Sequence, residues 1–147
     1  MTRSKRMQPV VEVTANRERE AARRLGELRQ RQQAAEQRLE ELTHYREEYA
    51  RQFAGGGSLG AARLQDYRIF LGRLNQAVEQ QQALVERARQ ECAAQQARWM
   101  ELHTRVQALD KVVSRYRDSE RSERDRREQK EADQRALNPR ERQSEDD

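Results

Sequence analysis

One cysteine, two prolines, six glycines and 5% aromatic residues leave this chain short of what usually builds a globular enzyme. A lone cysteine excludes an internal disulfide framework and fits a reducing compartment. No apolar run approaches the ~18 residues of a membrane span, and no signal-peptide pattern opens the chain. With 34% hydrophobic residues and a mean hydropathy of -1.32, the 147 residues cannot fill a three-dimensional core. They can fill a narrow seam. A coiled coil buries only about two residues in seven, so the composition points to a soluble, cytosolic, nearly all-helical protein.

Charge is what the chain has in abundance. Charged residues make up 38% of it, and the net charge is +4. The excess is not gathered in one place: residues 1–53 hold 12 basic and 9 acidic side chains, residues 54–116 hold 9 and 6, and residues 117–147 reverse to 9 and 11. Nucleic-acid binders cluster Lys and Arg on one face or arm. Interspersed signs describe a solvated helix surface with i,i+4 pairs, so no nucleic-acid partner is expected.

The one strong break is Ala54-Gly-Gly-Gly-Ser-Leu-Gly60, where consecutive glycines end a helix and Ser58 offers an N-cap for the next. Before it, a seam spaced three and four runs Leu25, Leu28, Gln32, Ala35, Leu39, Leu42, Arg46, Tyr49, Phe53. After it, Leu64, Tyr67, Leu71, Leu74, Val78, Gln81, Val85, Ala88, Cys92, Gln95, Trp99, Leu102, Val106, Leu109, Val113 and Tyr116 keep the heptad without a slip. Only Gln81 and Gln95 are polar among them. A short glycine loop between heptad helices folds them back antiparallel.

The expected fold is therefore all-α, a long two-helix antiparallel coiled-coil hairpin over residues 1–116. Helix 1 covers about 9–53, the turn 54–60 and helix 2 about 61–116; residues 117–147 form a charged tail, a frayed helix or disordered, with Pro139 stopping any helix before Asn138. Pairing a with d gives facing residues whose numbers add to about 113: Leu42 with Leu71, Leu28 with Val85, Leu25 with Ala88, Val11 with Leu102. With helix 1 ending near Pro9, Leu109, Val113 and Tyr116 are left as an unpartnered overhang beyond Val106.

Catalytic motifs fail in turn. The triple glycine lacks the Gly-Lys-Ser/Thr of a phosphate loop. Glu41-Leu-Thr-His44 has the spacing of a bundle di-metal site but no second copy, and His103 has no matching glutamate. Both histidines read as solvated helix-face residues, and Cys92, at an a position, as a small hydrophobe. No catalytic, cofactor or metal site is expected. More informative are Tyr45 and Phe70, both at g, on the same side of an antiparallel pair and at nearly the same level. Arg38 and Ala77 form the next such pair, and Ile69 adds an exposed apolar group. Such an edge either widens the seam or docks a partner.

Ala21-Ala-Arg-Arg-Leu-Gly-Glu-Leu-Arg29, Leu39 to Leu42 and Tyr45-Arg-Glu-Glu-Tyr49 resemble the first helix of the bacterial flagellar FliJ family. Tyr67-Arg-Ile-Phe-Leu-Gly-Arg-Leu-Asn-Gln-Ala-Val-Glu-Gln80 is similar to the start of its second helix; Trp99 and Arg105-Val-Gln-Ala108 match in kind and spacing. The resemblance covers residues 21–109 and is carried by off-seam residues such as Gly26, Tyr45, Phe70 and Gln80. It implies a non-catalytic component of the flagellar type III export apparatus, serving motility and chemotaxis. It would be a monomeric stalk, cytoplasmic and peripheral at the inner membrane without inserting into it. The implied partners are the export ATPase hexamer, whose hydrolysis it stimulates, the cytoplasmic domain of the export gate FlhA, and export chaperones. The gate-binding surface carried over is Arg38, Leu42, Tyr45, Tyr49, Phe70, Leu74, Ala77 and Gln81. The overhanging Val106, Leu109, Val113 and Tyr116 would contact the ATPase ring. The rival readings are a structural homodimeric coiled coil and a stalk protein of a virulence-type secretion system.

Overall fold

The computed structural model describes residues 1–55 and 60–138. Two helices account for nearly all of them: α1, Arg3–Ala54, and α2, Ala61–Leu137. They form the all-α antiparallel hairpin that the heptads imply, and no described helix is long and apolar enough to cross a membrane. The chain divides into two compact units, Arg19–Glu101 around the turn and Met1–Glu18 with Leu102–Asp147.

In the first unit, Ala21, Leu25, Leu28, Leu74, Val78, Val85 and Cys92 are buried, all at a or d positions. The two polar breaks in the seam are not defects. Gln81 donates to the Ala35 carbonyl at 3.0 Å and Gln95 to the Ala21 carbonyl at 3.1 Å. Both amides reach α1 beside an alanine, where the missing side chain leaves room. Each glutamine lies one seam position beyond its expected level and leans back toward the N-terminus of α2, as helical side chains do. The bonds thus agree with the expected register within this unit. Gly60 accepts the first α2 bond, from Leu64 N at 3.1 Å, which makes it the N-cap. The expected cap, Ser58, lies outside the described residues.

The other unit departs from expectation. Helix α1 does not begin at Pro9 but at Arg3, with Pro9 inside it. The ring falls at the outward f position, so the Lys5 carbonyl it deprives of a partner faces water. The first turn is held from two sides: Thr2 Oγ1 accepts from Lys5 N at 3.4 Å, and Glu120 on α2 accepts from Ser4 N at 3.1 Å and Ser4 Oγ at 2.7 Å. These bonds satisfy donors that a helix start leaves orphaned. Ser4, Met7, Val11, Thr14 and Glu18 continue the α1 seam, all buried or half-buried.

The overhang is thereby corrected. Val113 is buried, Tyr116 is half-buried with the Arg3 guanidinium 5.9 Å from its ring centre, and Val106 and Leu109 are half-buried. Within this unit Ser4 meets Glu120, where an index of about 113 would have stopped at Leu109. The longer α1 and this displaced register both cover what was expected to dangle. Past Glu120, α2 continues to Leu137 with every residue from Arg121 exposed. It runs on as a charged single helix and ends two residues before Pro139, which with residues 140–147 lies outside the described residues.

Candidate functional site

Near the turn, α1 carries Tyr45, Tyr49 and Phe53 at four-residue intervals, one above another on its face toward α2. Helix α2 returns Tyr67 and Phe70, three apart. The result is a continuous stack. Phe53 lies face to face with Tyr67 (centroids 3.5 Å, 13°), Tyr67 with Tyr49 (5.4 Å, 15°), Tyr49 tilts onto Phe70 (4.5 Å, 57°), and Phe70 meets Tyr45 edge-on (6.3 Å, 83°). Each such pair adds about 0.5–1.5 kcal/mol beyond burial. Five of the seven aromatic residues of the chain stand here. Tyr45 and Phe70 face each other at one level, as their positions imply. Tyr67 and Phe53 belong to the same stack, and their spacing was the signal for it.

The stack runs from inside to outside. Phe53, Tyr49, Tyr67 and Phe70 are half-buried, while Tyr45 is 50% exposed and Ile69 51%. Of the other residues carried over, Leu74 is buried, Leu42 and Ala77 are half-buried, and Gln81 turns inward to Ala35. Arg38 is exposed, 3.5 Å from Glu41. The solvent therefore meets Arg38 and Tyr45 most fully and the half-buried Leu42, Tyr49, Phe70, Ala77 and Gln81 in part, while Leu74 is closed off.

The two edges of the hairpin differ. On the e side, polar bonds cross between helices: Arg89 to Glu36 at 3.2 Å, and Arg46 to Asn75 at 3.3 Å. The Glu36 carboxyl is held below its ordinary value, chiefly by the Gln32 amide and then by Arg89. On the g side the link across is the ring pair Tyr45–Phe70.

His44 is exposed beside Glu48 at 3.2 Å, and no group of three or more metal-ligating side chains exists among the described residues. The expectation for His103 is corrected: it is half-buried, its Nδ1 2.6 Å from Glu18 on α1, so it is a cross-helix contact rather than a solvated ring. Cys92 is buried in the seam. In the other unit, Gln8, Val11, Asp110, Val113, Ser114 and Arg117 help line an open groove of about 400 Å³, with Glu120 beyond it bonded to Ser4. Those two bonds from Ser4, the backbone one foremost, hold the Glu120 carboxyl below its ordinary value.

No curated protein and no solved structure matches the chain significantly. The family model described as flagellar FliJ protein matches residues 3–144, well beyond residues 21–109, which carry the resemblance. A match over nearly the whole length takes in both the stacked rings and the charged end of α2, and the chain belongs to the FliJ family of flagellar proteins.

Proposed function

We propose that this protein is a stalk and adaptor of the flagellar type III export apparatus. It binds and stimulates the export ATPase at the open end of the hairpin and docks on the cytoplasmic domain of a FlhA-like gate at the turn. Family membership supports the export role. The observation that carries the docking assignment is the exposed Tyr45 at the outer end of a ring stack that α1 and α2 build together. An aromatic anchor braced by its neighbours loses little side-chain entropy on binding, the property that makes such residues interface hot spots.

At the open end the first turns of α1 close the seam. Val113 supports the pairing from within, and the outer flanks of Val106, Leu109 and Tyr116, with the exposed α2 from Arg121 to Leu137, are the surface offered to the ATPase ring. Export chaperones use the same exposed faces. The protein itself supplies no reacting group; its contribution is position and contact, at the cytoplasmic face of the inner membrane.

Two measurements test this reading. ATP hydrolysis by the cognate export ATPase should rise on adding the full chain, and removal of residues 121–147 should abolish the rise while the hairpin stays folded. Gate-domain affinity should fall at least ten-fold in Tyr45→Ala with helicity unchanged. Full stimulation by the truncated chain would refute the assignment of the open end, and unaltered gate binding by Tyr45→Ala that of the turn.

A further inference from the structure

The g edge of the turn-proximal unit continues beyond Tyr45 and Phe70 with a division of labour between the helices. Helix α2 presents Phe70, Ala77 and Leu84 at strict seven-residue intervals; Ala77 is half-buried and Leu84 48% exposed. Helix α1 presents Arg38 and Arg31 at the same spacing. The flanking c positions of α2 add Arg73 and Arg87, both exposed. Among the described residues Arg31, Arg73 and Arg87 make no ion pair, and Arg38 alone has a carboxylate, Glu41. The acids of α2 in this stretch, Glu79 and Glu86, fall at b positions on the opposite side.

This edge is an open channel with an apolar floor, an α2 wall carrying Arg73 and Arg87, and an α1 wall carrying Arg31 and the Arg38–Glu41 pair. It is bounded: past Leu84 the next g residue of α2 is Glu91, and on α1 Arg24 is already paired with Glu27 at 3.2 Å. From Phe70 to Leu84 it spans about 21 Å, some four turns of a helix. The e edge offers no such channel, because Arg89–Glu36 and Arg46–Asn75 close it.

We propose that this edge, from Tyr45 and Phe70 to Arg31 and Leu84, receives an acidic amphipathic helix of a partner protein as a third member of the coiled coil. The inference rests on the reading that the turn end docks a partner, and it states that partner's chemistry. Apolar residues at heptad spacing meet a helix of the same period, and unpaired guanidiniums call for carboxylates on both its flanks. A second copy of this chain is the wrong occupant, since a self-complementary contact would set Arg31 and Arg87 against like charges.

The test uses the full chain and a synthetic helical peptide of about 18 residues with a leucine stripe flanked by glutamates, followed by fluorescence anisotropy. A twin peptide with lysine for each glutamate serves as comparator. The acidic peptide should bind the parent. It should bind Arg31→Glu/Arg87→Glu about ten-fold more weakly, as expected for exposed charge contacts reversed in sign, and Leu84→Glu more weakly still. The lysine peptide should bind that charge-reversed variant better than it binds the parent. All three positions are exposed, so helicity by circular dichroism should not change. Equal binding of both peptides, or indifference to charge reversal, overturns the proposal; so does a dimer of the chain that the peptide displaces. Gate-domain binding is measured in parallel with Tyr45→Ala. Gate binding that depends on Tyr45 beside a failed peptide result removes this inference alone, and absent gate binding removes the gate reading without touching the peptide result.

Discussion

Replacing Gln81 and Gln95 by leucine should make the hairpin at least as stable and less certain of its register. Their amides bond to the Ala35 and Ala21 carbonyls at 3.0 and 3.1 Å. Both carbonyls lie inside α1 and keep their own bonds to the N–H four residues on, so removing the amides leaves no orphaned acceptor. Each lost bond is worth about 1 kcal/mol net. Each leucine, half-buried, returns about 1–1.5 kcal/mol by apolar burial. The double variant should therefore gain about 0–1 kcal/mol and melt at or a few degrees above the parent. What it loses is the device that tells one apolar layer from the next, the role a lone polar residue plays in coiled-coil seams. Spin labels at the exposed Gln37 and Gln80 should give one distance in the parent and a second population in the variant. A double variant that melts well below the parent would refute the reasoning, because the amides would then be the seam's main support. One unchanged distance would refute the register role.

Gly26 and Gly72 lie within helices with nothing within 4 Å of an added Cβ, so Gly26→Ala and Gly72→Ala should each stabilise by about 1 kcal/mol in denaturant melts. The Glu120 carboxyl is held below its usual 4.5, so what it adds to stability is complete above that value and fades as pH falls through the lowered one. Glu120→Gln should thus melt below the parent at pH 7, with the two converging in acid; a gap that persists at pH 2 would show that charge is not the cause. Tyr49→Ala removes a ring lying between Tyr67 and Phe70 and should cost about 2–3 kcal/mol, against less than about 1 kcal/mol for Tyr45→Ala; equal losses would erase the distinction between support and anchor.

Much of this was legible in the sequence because a heptad repeat is local information. The two heptad seams flanking the break and the level pairing of Tyr45 with Phe70 follow from spacing alone. The open end was not legible, for a physical reason. There the α1 seam uses Ser4, Thr14 and Glu18, whose polarity masks the period, and Pro9 mimics a helix start. What makes those residues acceptable as seam is a partner far along the chain, Glu120 for Ser4 and His103 for Glu18. Heptad arithmetic ranks apolar side chains and has no means of foreseeing such bonds. The same limit hid how Gln81 and Gln95 are satisfied, although it did mark them as the exceptions.

The separation of seam from edge bears on how such a protein can change over time. Residues that hold the helices together occupy a and d, while Arg31, Arg38, Tyr45 and Leu84, to which recognition is assigned, occupy g. Substitutions at g can retune or exchange a partner with little penalty to the hairpin, and seam substitutions can adjust its strength without altering what it greets. At Tyr49, Phe53 and Tyr67 the two duties share one residue, since these rings both fill the seam and brace the exposed anchor, and at the open end Val106, Leu109 and Tyr116 carry both as well. The turn end is where drift should be slowest and the g edge where it should be freest, so lineages could inherit one scaffold while rewriting its edge.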